Sequence, residues 1–516
     1  MTQEEELAQL RAEKNAWRDI AYEKHRDVQQ LQQEKQMVRD ALKEAMLAIE
    51  RFQEHTKELE GQIDVLQERV NMLERQQAKD SHNSSLPPSS DRFVRAPKSL
   101  KHKSGKKPGG QKGHRGHYLK QVEMPDEVFI HPVTCCEHCQ RDLRDRPAMF
   151  PERRQMIDLP TKRLWVTEHR VEEKQCPTCF HLTRASFPSA VKAPTQYGTG
   201  IQALAVSLVE GQVVPYARAS QLLHDLLGVQ LSAGSIASFV TMCHQNLTEV
   251  ENDLKEALVN VAVLHQDETG MRVKKEGWWV YVSSTAQLTH YAAHPSRGRA
   301  GLDAIGIAPR FQGTSVHDGL KSYQGYTFTE ALCNIHHLRE LTFVEEELKQ
   351  PWARSMKDLL LEMKAEVEQA KTLGRHDLDL LVLAKLLRRY DETLKEGYQA
   401  NPPPPAPKKS EHGKRKPGRA KQSPARNLLD RFSQRKQAVL RFLYDFAVPF
   451  DNNQAERDLR MMKVQQKVSG CFRTEQGIAM FCRIRSYLST LRKQDIPLLS
   501  ALEQTLSGSP VLPTFA

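Results

Sequence analysis

Asp267, Asp318 and Glu456 are the residues of this chain best placed to do chemistry. Asp267 closes the apolar run Val261-Ala262-Val263-Leu264-His265-Gln266, which reads as a buried strand. Asp318 closes a second short run, Thr314-Ser315-Val316-His317, and is followed at once by Gly319. Glu456 lies within Asp451-Asn452-Asn453-Gln454-Ala455-Glu456-Arg457, a segment with helix-start chemistry. Two carboxylates at strand ends and one on a helix can hold two divalent cations side by side. Such a pair activates an attacking water or hydroxyl and stabilises the leaving oxygen of a phosphodiester. Taken singly, each acid has a plainer reading: an Asp at a strand end is often a turn residue, and a Glu beside an Arg a solvated pair. Asp303, Asp358, Asp451 and Asp458 are the local rivals, and His317 could orient a carboxylate or serve the fold.

A second constellation is sulfur-based. Cys136-Glu137-His138-Cys139 and Cys176-Pro177-Thr178-Cys179 are two CxxC pairs on either side of a mostly extended segment. Each pair places two thiolates on one side of a turn, so Cys136, Cys139, Cys176 and Cys179 together suit a closed, structural, tetrahedral zinc site. Cys135 and His138 are neighbouring donors that blur the ligand set.

Several elements must position these groups. Val261–Asp267, Trp278–Ser283 and Leu288–His294 read as successive strands, followed by a helix near 299–306 and a strand at Thr314–Asp318. Ala331–His337 is expected to add a fifth strand, and a helical stretch to run from about Leu338 to Tyr398. Helices are expected at about 427–447, 452–468 and 475–493. In the second of these Asp451 is the expected cap, with Gln454 completing a capping box. Ala455, Leu459 and Met462 would be its buried stripe, with Glu456, Arg460 and Lys463 adjacent, so two cations could grip a phosphate beside the carboxylate. Strands, a helix, further strands and a helix bearing an acid follow the order of a ribonuclease-H-like core. In such a core the first strand is central and its Asp meets the end of the fourth.

Bulk properties fit this picture. At 516 residues the chain is too long for one core. Lys and Arg outnumber Asp and Glu by 75 to 64, for a net charge of +11 and a pI near 9.1, which suits a polyanionic partner. No run of apolar residues is long enough to span a bilayer, and a soluble, intracellular protein without membrane partners is the expectation. Residues 1–80 carry an unbroken heptad. Its a series includes Leu7, Val28, Leu42, Ile49, Ile63 and Val70, its d series Leu10, Trp17, Leu31, Phe52, Leu59, Leu66 and Leu73. That pattern predicts a coiled coil and a homodimer or higher oligomer.

The expected fold class is therefore a multidomain α+β chain. Residues 1–80 are a coiled coil, 81–122 a basic linker and 123–190 a zinc-binding module. Residues 191–260 are helical and helix-turn-helix-like, with Gly228 ending one helix and Ser232 capping the next. Residues 261–468 are the catalytic core, with a helical insertion and basic linker at about 338–426, and 469–516 a C-terminal helical region. Between Arg92 and Lys120 there are ten Lys or Arg and no acid. With so few large apolar residues this linker is expected to be disordered when free, and Lys106, Lys107, Lys112 and Arg115 to contact DNA phosphates. From Lys408 to Arg426 there are eight Lys or Arg against one Glu.

The sequence resembles the large transposase of the bacterial insertion-sequence 66 family over nearly its whole length. The carrying segments are Asn83–Asp91, Lys107-Pro108-Gly109-Gly110-Gln111, His265-Gln266-Asp267-Glu268-Thr269-Gly270 and Val316-His317-Asp318-Gly319. Further matches are Cys333-Asn334-Ile335-His336-His337-Leu338-Arg339-Glu340 and the highly specific Val448–Arg457. The resemblance implies that Asp267, Asp318 and Glu456 are the DDE triad, holding Mg²⁺ or Mn²⁺. It implies a structural Zn²⁺, cleavage at the element's terminal inverted repeats, and strand transfer into double-stranded target DNA. Accessory proteins of the same element are further candidate partners. Cys333 and His336 match a Cys-x-x-His feature of some such cores and read as structural. Two departures are Cys135 and the long proline-rich, basic stretch at 402–426. The competing readings are a non-catalytic DNA-binding remnant or repressor, and a ribonuclease-H-like nuclease acting on RNA or repair intermediates.

Overall fold

The computed structural model describes residues 2–77, 83, 121–147, 154–157, 164–403 and 422–515. Lys106, Lys107, Lys112 and Arg115 lie outside the described residues, as does most of the second basic segment. The first unit is helix α1 (Gln3–Gln77), 75 residues without a proline. At 1.5 Å per residue it is about 110 Å long. Leu10, Trp17, Leu31, Leu42, Phe52 and Leu66 are exposed along it.

The second unit begins with a region of little regular structure, in which β1 (Glu173–Gln175) and β2 (Leu182–Arg184) form an antiparallel hairpin. A helical layer follows: α2 (Thr199–Val206), extended by a π-helical turn at Ser207–Gly211, then α3 (Tyr216–Leu227), α4 (Ala233–Asn246) and α5 (Thr248–Val259). Gly228 ends α3 at φ +72°, a left-handed conformation that glycine adopts without strain, and the Ser232 hydroxyl accepts the Ser235 N–H to cap α4.

A mixed sheet comes next. Its strands are β3 (Val263–Val273), β4 (Glu276–Ser284), β5 (Thr289–His294), β6 (Thr314–His317) and β7 (Thr329–Leu332), with α6 (Arg299–Ile305) between β5 and β6. The spatial order is β5-β4-β3-β6-β7; β3, β4 and β5 are antiparallel neighbours, whereas β6 and β7 run parallel to β3. Helices α7 (Asn334–Glu346), α8 (Pro351–Thr372), α9 (Leu380–Ala400), α10 (Pro424–Gln434), α11 (Lys436–Val439) and α12 (Arg441–Tyr444) pack around a core of their own. The chain closes with α13 (Asn453–Ser469), α14 (Glu475–Lys493) and α15 (Leu498–Leu506).

The sheet is covered on both faces, which explains why its strands mix apolar runs with alternation. Met271, Val273, Val280 and Val282 meet Ala455, Leu459 and Met462 of α13 and Ile478 and Phe481 of α14. Leu264, Tyr281 and Leu288 meet Leu254 and Leu258 of α5, Leu302 of α6, and Phe311. The helical layer encloses Ala203, Leu223, Ile236, Val240, Leu488 and Leu502. Helix α4 packs against α2, α3, α5, α14 and α15. It carries no Lys or Arg.

Four expectations need correction. β3 does not stop at Asp267 but continues to Val273, because β4 pairs with it throughout. Residues 331–337 are not one strand: β7 ends at Leu332, and Cys333 opens α7. The stretch 338–398 is broken twice. Lys349 at φ +54° precedes Pro351 at the start of α8, while Gly374 at φ +70° precedes α9, whose first N–H groups are capped by Asp379. Residues 427–447 form three short helices, since Arg435 leaves the helical path and its guanidinium donates to Gly319 and Glu330.

Candidate active site

β6 pairs with β3 only from Val263 to His265, and the next backbone bridge on that side is Phe472 at Val273, which leaves a gap in the pairing around Asp267. Asp267 sits in the resulting notch, mid-strand. Asp318 follows the last residue of β6 and reaches the same notch. Glu456 arrives from the first turn of α13. Burial pushes the Asp267 carboxyl well above the usual carboxylate range, and the charges of Asp318, Glu268 and Glu456 push it further. The acids therefore share one field. The buried Glu456 Oε1 has no hydrogen-bond partner.

Each acid is held by its own device. The Glu268 N–H donates to Asp267 Oδ1 at 2.8 Å. Asp318 Oδ1 accepts the Leu320 N–H at 2.9 Å across a turn in which Gly319 has φ +94°. His317, fully buried, accepts the Gly319 N–H at Nδ1 (3.1 Å), so its hydrogen sits on Nε2, 3.6 Å from Glu330. Burial holds this imidazole neutral, lowering it to about 3. Arg435 ties the turn to the helical insertion, donating to Gly319 O at 3.1 Å and to Glu330 at 2.8 Å.

Asn452 fixes the third element. Its Nδ2 donates to Gln266 O at 2.9 Å, its Oδ1 meets His265 Nδ1 at 2.8 Å, and its N–H donates to Cys333 Sγ at 3.2 Å. Thus Asn452, not Asp451, opens α13. Asp451 accepts the Asn453 N–H at 3.0 Å, and Gln454 turns to Asp458 instead of completing a capping box. The buried stripe of Ala455, Leu459 and Met462 is as expected. Lys463 lies close enough to Asp267 to feel its charge and donates to Gly270 O at 3.2 Å, whereas Arg460 is exposed.

Sequence reasoning missed a fourth acid. The Glu268 side chain is 1% exposed and is held by Arg297 at 2.9 Å and the Tyr323 hydroxyl at 3.3 Å. Arg297 in turn lies 4.4 Å above the Trp279 ring. The adjacent Asp267-Glu268 pair was the available signal; its partners, 29 and 55 residues away, carried none.

The cysteines form two copies of one turn. Cys136 and Cys176 each accept the N–H of the residue four places on, and each donates its own N–H to the carbonyl five places on, all at 2.9 Å. Gln140 and Phe180, just past each CxxC, have φ +59° and +57°. Backbone N–H groups from the second cysteine and the residue before it lower the Cys136 and Cys176 thiols below their ordinary value. Among the described residues, the metal-competent group whose donor atoms all lie within 4.8 Å of one another is Cys333, His336 and Glu456. Neither the three carboxylates nor the four paired cysteines are drawn that close together.

A family model described as the transposase IS66 family matches residues 194–480, which includes β3, β6 and the start of α13. The chain belongs to that family. A second model, a family of unknown function (DUF6444), matches residues 25–120. None of the curated proteins matches the chain. Membership gives this transposase a general role in transposition and DNA as its substrate. Asp267, Asp318 and Glu456 all fall inside the matched region, as do Glu268, Arg297, Arg435 and Asn452. No helix among the described residues is long and apolar enough to cross a membrane.

Proposed function

We propose that residues 261–468 form a ribonuclease-H-like DDE core that cuts the element's DNA ends and joins them to target DNA. One observation carries this reading: carboxylates from the middle of β3, the end of β6 and the first turn of α13 load a single electrostatic site. Asp267, Asp318 and Glu456 fit divalent cations of the magnesium class, since their donors are hard oxygens, their charges oppose one another, and Glu456 Oε1 is buried without a partner. The bound cations would supply an activated nucleophile and charge neutralisation at the phosphodiester. The chain's own residues do the rest. Asp267, whose carboxyl feels both Asp318 and Glu456, would be the ligand common to the bound cations. Asn452 and Arg435 fix the approach of the elements that bear them, and Arg460 and Lys463 lie on the helix where a phosphate would be gripped.

The remaining parts serve DNA ends. The exposed apolar stripe of α1 pairs copies of the chain as a coiled coil, so that two ends are held together. Cys136, Cys139, Cys176 and Cys179 of the twin turns would hold one structural Zn²⁺, and Lys106, Lys107, Lys112 and Arg115 would track phosphates. The test is Mg²⁺-dependent nicking of a duplex carrying the element's terminal repeat, run beside an RNA–DNA hybrid of the same sequence. Nicking at the DNA end, with joining to a target duplex, is the expected result. Cleavage of the hybrid alone would make the protein a nuclease of another kind, and binding without cleavage would make it a repressor.

A further inference from the structure

Glu456 faces two ways. It contributes to the field at Asp267, yet it is also the third member of a compact group with Cys333 and His336. Cys333 is the residue that opens α7, and His336 stands three positions on in its first turn, so both side chains project from the same end of that helix. Glu456 meets them from the first turn of α13, with Oε1 at 3.7 Å from His336 Nε2. That separation is too long for a hydrogen bond. Glu456 Oε1 and His336 Nδ1 are both buried without partners, and the Cys333 sulfur accepts the Asn452 N–H at 3.2 Å.

Burial pushes the Cys333 thiol up to about 12 against the opposing pull of the Asn452 N–H, so an ion bound there must displace the thiol proton to gain a thiolate ligand. One sulfur, one imidazole and one carboxylate form a donor set for a borderline-soft ion, not for magnesium. Three protein ligands leave a fourth coordination position open. The frame is fixed by Asn452, which binds β3, Cys333 and the start of α13 together. Glu456 is more exposed than His336, its side chain keeping 28% of its exposure.

We propose that Cys333, His336 and Glu456 form a mixed-donor site for a zinc-class ion, and that filling it turns Glu456 away from Asp267 and arrests DNA cleavage. The second half rests on the DDE reading of the core; the first does not. The test uses full-length, reduced, metal-free protein, with Co²⁺ as a spectroscopic probe and Zn²⁺ as its competitor. In a background where Cys136, Cys139, Cys176 and Cys179 are all serine, the protein should still take up one Co²⁺. Its sulfur-to-cobalt absorption should be erased by Zn²⁺ and abolished by Cys333→Ser or His336→Gln. In the wild-type background, where the cysteine turns stay intact, Cys333→Ser should lower the zinc content by one. Equal zinc content in wild type and Cys333→Ser, or no sulfur-to-cobalt band in the serine background, overturns the site. For the second half, Zn²⁺ added over Mg²⁺ should slow nicking at least about 10-fold in wild type. In Cys333→Ser it should not slow that variant's own zinc-free rate. Zinc binding without slowing overturns the arrest, while a protein that never nicks condemns the DDE reading and leaves the metal titration to decide the site.

Discussion

The two regions that offer metal ligands are built on opposite principles. Around Asp267, a sheet covered on both faces fixes each carboxylate before any cation arrives. The site concentrates negative charge: Asp267 is pushed well above the carboxylate range by burial and by its acidic neighbours. Around Cys136 and Cys176 there is almost no core. Phe129, Ile130, Trp165, Val166 and Phe180 are exposed, and among the described residues there the strands are the three-residue pair β1 and β2. The turns that carry the thiols are formed, but what would join them is not protein packing. On the proposed reading the fold would organise the metal in the first region, and the metal would organise the fold in the second.

Removing zinc should break this contrast most visibly. Chelation should speed amide exchange at 164–184 by at least about 10²-fold while leaving β3, β4 and β6 protected, as hydrogen-exchange mass spectrometry would show. Equal loss in both regions would mean that the sheet, too, depends on the ion. Arg435→Met probes the carboxylate side. Without its bonds to Gly319 and Glu330 the turn bearing Asp318 loosens, and nicking should fall by about 10- to 100-fold with a higher Mg²⁺ requirement, while the insertion stays helical by circular dichroism. An unchanged Mg²⁺ requirement would show that the insertion does not position the site.

These regions also differed in how far the sequence revealed them. The cysteine turns were legible because their chemistry is local: CxxC fixes its own geometry. The strands and the Ala455, Leu459, Met462 stripe were legible because periodicity reports burial. The strand bearing Asp267 was read as ending too early, since the apolar run stops near where β6 pairing stops, at His265, and not where β3 does. What could not be read were contacts set by long-range packing. Asn452 bolts three elements together, Arg435 reaches back 116 residues to Gly319, and Arg297 clamps Glu268 from another strand end. Local rules also misplaced the helix start at Asp451 and the strand at 331–337, because tertiary contacts of Asn452 and Cys333 decided both.

Smaller effects sharpen the comparison further. Arg460→Gln removes one exposed cation beside the site; affinity for element-end DNA should fall several-fold, and the salt dependence should lose about 0.9 of a logarithmic unit per decade. An unchanged slope would take Arg460 off the DNA path. Asp267→Asn should raise the melting temperature in chelator by about 2–4 °C and abolish stabilisation by Mg²⁺. The sign follows from the raised carboxyl: above the unfolded value of about 3.9, ionisation favours the unfolded chain until the folded value is passed, and Asn removes that penalty. A lower melting temperature in chelator would mean that the Asp267 charge is already compensated.

The central claim is that Asp267, Asp318 and Glu456 act as one cation-holding set for DNA cleavage. Its most direct measurement is the Mg²⁺-dependent nicking rate of Asp267→Asn, Asp318→Asn and Glu456→Gln on element-end duplex, with binding followed in parallel. Each variant should lose at least about 10³-fold in rate while binding DNA as wild type does. Any one of the three cutting at the wild-type rate would contradict it.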